Sequence, residues 1–267
     1  MDYRSRVAIV TGTSSGIGAQ VALDLASRGA SLVLVARRVD RLEAVARECA
    51  ARGGTIETVA GDVAAEGFVE DVVARTLARF GRLDIVVNNA GISKHKQFFD
   101  VTAADVEYTL RVNLIAPARL IVAALPAMLR QGEGWIVNVS SVAGKLPPPR
   151  EAVYAASKFG LTGLTEGLWL DLQGTNVHAA VIHVGPIDTE IWDKTDEPTA
   201  YHGRKLPPSR VSRAILDAIE RRRHEVWVPG GMRLAWWFRI WLPALFRAGA
   251  ARFDPVPADA IAAARRR

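Results

Sequence analysis

The sequence predicts an α/β fold: a doubly wound parallel sheet in a single domain, extended at its C-terminus by an aromatic and basic tail. Three observations predict it. Short, β-branched apolar runs alternate with helix-period segments along the first 230 residues, as in a sheet covered by helices on both faces. The connections are mostly a few residues long, with no repeat, linker or low-complexity stretch before residue 230. The first apolar run leads directly into a glycine-rich turn and a helix. The chain has 267 residues, 49% hydrophobic and 23% charged, enough for one domain with a large core. The expected division is 1–231 for this domain and 232–267 for the tail.

Val7 to Val10 reads as a buried strand, followed by TGTSSGIG at 11–18 and a helix stopped by Gly29. Strand, glycine-rich turn and helix in this order form the setting of a Rossmann-type dinucleotide site. Gly12 permits the tight turn, Gly16 lets the backbone approach a pyrophosphate, and Gly18 lets the helix pack on the strand. Ser14, Ser15 and Ile17 complete the turn, and the free N–H groups of the helix start face the phosphates. Ser31 to Ala36 is the second strand. An acidic residue at its end would accept from the adenosine 2′-hydroxyl; here Arg37 and Arg38 follow. Two guanidinium groups suit a phosphate dianion, so NADP(H) is expected over NAD(H). Asp40 reads as a helix N-cap.

Ile56 to Ala60 is a third strand, ending at Gly61-Asp62-Val63, with a helix to about Phe80. Leu83 to Val87 is a fourth, ending in Asn88-Asn89-Ala90-Gly91, where small and amide residues leave room for a ligand in the crevice. Residues 102–131 read as two helices, with Asn113 in the second. Trp135 to Val139 is a fifth strand, ending at Ser140-Ser141. Pro147-Pro148-Pro149 stiffens the loop before a helix carrying Tyr154 and Lys158, which share one face at a spacing of four. A cation held beside a phenol favours the phenolate and makes an acid/base usable near neutral pH. Val177 to Val184 is a sixth strand, ending in Gly185-Pro186-Ile187-Asp188-Thr189. The polar segment 193–209 reads as a lid over the crevice or as a plain surface loop. Val226 to Pro229 is a last strand.

One cysteine, Cys49, excludes an internal disulfide, and the five histidines show no metal-ligand spacing. The N-terminal stretch lacks the apolar run of a secretory leader, so a cytoplasmic setting is expected.

TGTSSGIG at 11–18, NNAG at 88–91, Ser141 thirteen residues before Tyr154, and YAASK at 154–158 together resemble the short-chain dehydrogenase/reductase family over roughly residues 5–230. The resemblance implies that Tyr154 is the general acid/base and that Lys158 lowers its pKa and bonds the nicotinamide ribose. It implies that Ser141 orients the substrate carbonyl, and that Asn113 holds a water in a proton relay near Lys158. Ser140 points the other way on its strand. Asp62 and Val63 would contact adenine, and Asn89, with Ala90 and Gly91, would line the cofactor site. Ile187 and Thr189 would meet the nicotinamide carboxamide. Where the family usually has Pro-Gly after the sixth strand, this chain has Val184-Gly185-Pro186. The implied activity is NADP(H)-dependent interconversion of a small-molecule ketone or aldehyde with an alcohol, by an enzyme that forms homodimers or homotetramers. The alternatives are a nucleotide-binding scaffold or sensor without turnover, and an epimerase or dehydratase on the same scaffold.

The formal net charge of +6 is concentrated at the C-terminus, where residues 233–267 carry seven arginines against two aspartates. With no groove-reading motif, nucleic acid is not an expected partner. Residues 233–253 place three tryptophans between 236 and 241 and intersperse arginines. The run is too short to span a bilayer and suits its headgroup boundary. A peripheral site on the inner face of a membrane and a lipophilic substrate are one reading. Packing on a subunit, covering the pocket, and a solvated tail are the others.

Overall fold

A computed structural model describes residues 1–194, 201, 203–253, 261 and 264–266. Seven strands form one sheet: β1 (Val7–Thr11), β2 (Ser31–Ala36), β3 (Ile56–Ala60), β4 (Ile85–Asn88), β5 (Gly134–Val139), β6 (Val177–Val184) and β7 (Glu225–Val228). Their order is β3-β2-β1-β4-β5-β6-β7, and every pair is parallel. Chain direction across the sheet reverses between β1 and β4, so the crevice at their C-terminal ends is the natural ligand position of this topology.

The helices are α1 (Gly16–Ala26), α2 (Val39–Ala51), α3 (Phe68–Phe80), α4 (Ala103–Leu110), α5 (Ala116–Gln131), α6 (Ala152–Asp171), α7 (Pro208–Glu220), α8 (Met232–Trp241) and α9 (Pro243–Phe253). Successive strand residues face opposite sides of the sheet. On one side Val10, Leu34, Val87 and Ile182 pack with Leu25 of α1, Leu42 of α2 and Ile215 of α7. On the other, Ile9, Val33, Val86 and Ile136 pack with Val72 of α3 and Leu120 and Ala124 of α5. The central strands β1, β2 and β4 are almost wholly apolar because both faces are covered, whereas edge strand β3 carries Glu57 and Thr58.

Two features differ from the sequence reading. Residues 103–131 form one continuous helical run, not two helices. A π-helical turn, Arg111–Ile115, joins α4 to α5, and Asn113 sits in that turn. Leu110, before the turn, and Ala116, after it, both keep right-handed helical angles, so the helical path continues through it. This run is also long and apolar enough to cross a bilayer, yet half of it is buried inside the protein. Asp40 lies in the first turn of α2, whose N-cap is Arg38. Residues 195–200 and 202 of the 193–209 segment lie outside the described residues, and the lid reading, which rests on them, with them. The segment's end returns to the sheet edge, where Leu206 N donates to Pro186 O (2.9 Å) and Asp188 N to Leu206 O (2.8 Å).

Candidate active site

The site is built at the C-terminal ends of β1, β4, β5 and β6. The glycine turn after β1 is shaped as a cradle. Gly12 and Gly16 have φ of +73° and +60°, a region that costs side-chain-bearing residues energy. A Cβ on Gly12 would lie 2.8 Å from Asn89 Nδ2, and one on Gly18 would lie 2.4 Å from Gly12 O. A Cβ on Gly16 would meet Thr189 Cγ2 at 2.9 Å. The turn therefore has no room for side chains at these positions. Ser15, the N-cap of α1, makes no side-chain capping bond, which leaves the helix start open to an anion. These features fit a dinucleotide pyrophosphate.

Asn89 stitches β4 to β1. Its Nδ2 donates to Thr11 O (2.9 Å), while Thr11 Oγ1 accepts from the N–H groups of Asn89 and Ala90, both at 3.0 Å. Gly91 follows, facing Asn113 Oδ1 and Lys158 Nζ. At the end of β2 the two arginines separate. Arg38 crosses the glycine turn and donates to Ser14 Oγ (2.9 Å), Ser15 Oγ (2.8 Å) and Glu190 (2.7 Å). Arg37 points outward, donating to Tyr108 Oη (2.7 Å) and standing 4.0 Å from Asp62. Tyr108 donates in turn to Asp62 Oδ2 (2.7 Å). Val63 leans on the core layer of α3 and α5. Ile187 is buried in the opposite core layer and its carbonyl accepts from Trp192 Nε1 (2.6 Å). Gly185 backs onto the start of α8, where a Cβ would lie 2.8 Å from Met232 Sδ.

Ser141, Tyr154 and Lys158 come together beside this cradle. Ser141 Oγ donates to Val184 O (3.3 Å) and accepts from Ala143 N (3.1 Å), and it stands close enough to Tyr154 to act on the phenol's pKa. Ser140 turns the other way, to Lys158 O and Thr162. Lys158 Nζ donates to Val139 O (2.9 Å) and stands 5.8 Å from the centre of the Tyr154 ring. Asn113 spends its side chain on scaffolding. Its Oδ1 accepts from Ile92 N (2.9 Å), and its Nδ2 donates to Ile92 O (2.8 Å) and Ser157 Oγ (2.9 Å). It ties the β4 exit to the helix that carries Tyr154.

The electrostatics correct one expectation. Lys158 was expected to lower the Tyr154 pKa; in the chain itself the phenol is raised. Burial is the main cause, the Glu151 carboxylate adds to it, and the Ser141 hydroxyl opposes it. The same burial pushes Lys158 down to about 8. Both groups pay for desolvation, and the ammonium is aimed at a backbone carbonyl and not at the phenolic oxygen.

Sequence reasoning missed several residues. Tyr108 joins Arg37 and Asp62 only because α4 packs beside the β2 and β3 ends. Glu151 lies one turn before Tyr154 and holds Ser93 (3.2 Å). His183, fully buried, lies beneath Ser141, with Nδ1 3.4 Å from Ser141 O and Nε2 3.1 Å from Glu225. Glu190 grips both Arg38 and Arg41. It directly follows Thr189, so the signal was a carboxylate placed next to a predicted ligand contact.

A glycine cradle at a parallel-sheet switch point, with a buried serine and lysine and a half-buried tyrosine beside it, defines a Rossmann-type oxidoreductase. The chain belongs to the short-chain dehydrogenase/reductase family: the short chain dehydrogenase family model matches residues 6–200. An uncharacterized oxidoreductase of Listeria monocytogenes is 33% identical over 230 residues, covering 83% of this chain and 93% of the relative. A short-chain dehydrogenase/reductase of Burkholderia phymatum, solved in complex with NAD, superposes with a TM-score of 0.85 at 27% identity, covering 92% of this chain and 96% of that one. A metagenomic short-chain oxidoreductase in complex with NADP gives 0.71 at 35% identity, over 81% of this chain and 91% of that one.

Proposed function

We propose that this protein is an NADP(H)-dependent oxidoreductase that interconverts a ketone or aldehyde with an alcohol by hydride transfer. The carrying observation is the clustering of Ser141, the Tyr154 phenol and Lys158 at the edge of a cradle that fits a dinucleotide. The nicotinamide supplies or accepts the hydride; the protein's own residues handle orientation and the proton. As a carbonyl is reduced, negative charge grows on its oxygen, and hydroxyl donors aimed there stabilise it. Ser141 orients that oxygen, and Tyr154, held protonated by burial, gives it a proton. In the reverse direction Tyr154 takes the proton back. Lys158 keeps positive charge near the phenol and would bond the ribose. Asn113 sets the distance between the β4 exit and α6 and contributes to the proton relay.

Arg38, across the cradle, and Arg37, beside Asp62 and Tyr108, support NADP(H) over NAD(H). Exposed Val122 and Leu129 on α5 and Trp169 and Leu170 on α6 support a homodimer or homotetramer. The same reading divides the chain into a catalytic domain at 1–231 and a separate tail, and sets the protein in the cytoplasm. The test is NADPH oxidation over a panel of ketones and aldehydes. Tyr154→Phe removes the donor and keeps the ring, so turnover should fall by about 10²-fold or more with cofactor binding retained. Equal turnover by the two proteins would remove the role given to Tyr154.

A further inference from the structure

We propose that α8 and α9 form a docking element for an anionic lipid surface, placed beside the active site so that a lipophilic carbonyl substrate enters from that surface. The polarity of α8 is inverted relative to a helix that covers a core. Leu234, Trp237, Phe238 and Trp241, at helical spacings of three and four, form one stripe. That stripe faces outward: Leu234 is 73% exposed and Trp241 74%. The opposite face, Met232, Ala235, Trp236 and Arg239, is the half-buried one. Its charged residue, Arg239, donates to Lys145 O and lies over the Phe159 ring. Leu242 and Leu245 continue the exposed apolar surface into α9.

The charge of the element selects the occupant. Residues 232–253 contain four arginines and no acidic residue, and Arg233, Arg247 and Arg252 are exposed. Tryptophan and leucine bordered by arginine match the boundary between acyl chains and anionic headgroups, where the guanidinium stems lie along apolar surface. A second copy of the chain fits less well. A two-fold contact would set this all-basic surface against itself.

The position of the element gives it a role. Arg239 and Trp236 rest on the loop that follows Ser141: Lys145 Nζ stands over the Trp236 ring at 5.4 Å. Phe159, under Arg239, is the residue after Lys158. Pro147, Trp236, Arg239 and Phe246 line a groove of about 500 Å³ between this loop and the two helices. A lipid-bound α8–α9 therefore places this groove against the loop that follows Ser141 and beside the helix that carries Tyr154. This second half rests on the carbonyl-reductase reading, whereas docking itself does not.

The experiment is co-sedimentation of the full chain with phosphatidylcholine vesicles, with and without 30% phosphatidylglycerol. Binding should appear with the anionic vesicles, weaken with salt, and bring a blue shift of tryptophan fluorescence. Leu234→Ser with Trp241→Ser, both at exposed positions, should reduce binding at least tenfold. Each of Arg247→Glu and Arg252→Glu should reduce it roughly fivefold or more. Light scattering on the same proteins tests the competing occupant. No binding to anionic vesicles, or an oligomer that dissociates on Trp241→Ser, overturns the proposal. NADPH turnover of decanal with and without anionic vesicles tests entry. Stimulation in the wild type but not in the double variant supports it, and equal rates refute entry alone. No turnover of any carbonyl, with binding intact, refutes the reaction and not the docking.

Discussion

At the scale of single residues, burial decides the character of Tyr154, the proposed acid/base group. A phenol raised by desolvation stays protonated at neutral pH, which suits proton donation to a carbonyl oxygen more than proton removal from an alcohol. Lys158, 4% exposed, bears the opposite cost: its charge is disfavoured by burial, so its pKa falls to about 8. The folded state then binds fewer protons than the unfolded state between pH 8 and the ordinary lysine value. Stability rises with pH across that window and is lowest below it. Lys158→Met should therefore abolish turnover yet raise unfolding stability at pH 7 by about 1–3 kcal/mol. The lost bond to Val139 O subtracts part of that gain. The difference from wild type should shrink as pH rises from 8 to 10, when wild-type Lys158 sheds its proton in the folded state. Chemical denaturation at pH 7 and pH 10 measures it; a variant less stable than wild type at pH 7 would contradict the assigned cost.

At the scale of elements, the β1 and β4 entries are held by one buried carboxylate. Asp84, fully buried, accepts from Val7 N (2.8 Å), Arg6 (3.0 Å) and Arg82 (2.7 and 2.9 Å). Burial alone would raise its pKa, but the bonds from Arg82, Val7 and Arg6 outweigh burial and hold it below the usual value. Asp84→Asn should cost about 2–4 kcal/mol at pH 7, because two guanidiniums lose their counter-charge in a partly buried site. This contribution is present above the ordinary aspartate pKa and is lost as pH falls through the lowered one. The gap between variant and wild type should therefore narrow in acid, as urea titrations at pH 7 and pH 3 would show. The strands themselves were legible because a sheet covered on both faces demands continuous apolar runs, and Val7–Thr11 and Ser31–Ala36 supply them. The π-turn at Arg111–Ile115 was not legible. No glycine or proline lies inside it, but Pro117 just beyond has no N–H to give Asn113 O and crowds that carbonyl, and Asn113 is held toward Ile92 and Ser157.

At the scale of the whole molecule, the nucleotide end of the crevice is closed by a carboxylate from the far side of the sheet. Glu190, in the 3₁₀ turn after β6, pairs with Arg38 and Arg41 after β2, spanning the switch point. The glycine turn, Asn89, Ser141, Tyr154 and Lys158 were readable because fixed residue types at fixed spacings follow strand ends. Glu190, Tyr108 and the His183–Glu225 pair were not, because each acts across elements far apart in sequence. The Glu190 pairing has a consequence for cofactor choice. Its carboxylate occupies the same guanidinium that would receive a 2′-phosphate, so anion and carboxylate compete for Arg38. Exchanging one for the other releases the turn after β6 from the β2 end. The pairs are partly exposed, and each is worth about 0–1 kcal/mol. Glu190→Gln should therefore tighten NADPH binding about two- to fivefold and leave NADH nearly unchanged, since only the phosphorylated dinucleotide gains from a freed guanidinium. Arg38→Ala should do the reverse, weakening NADPH relative to NADH by tenfold or more. Titration of intrinsic tryptophan fluorescence with each dinucleotide gives both ratios. If Glu190→Gln shifts neither affinity while Arg38→Ala does, the carboxylate is a structural strap alone. If neither substitution moves the NADPH-to-NADH ratio, the phosphate is not read at Arg38.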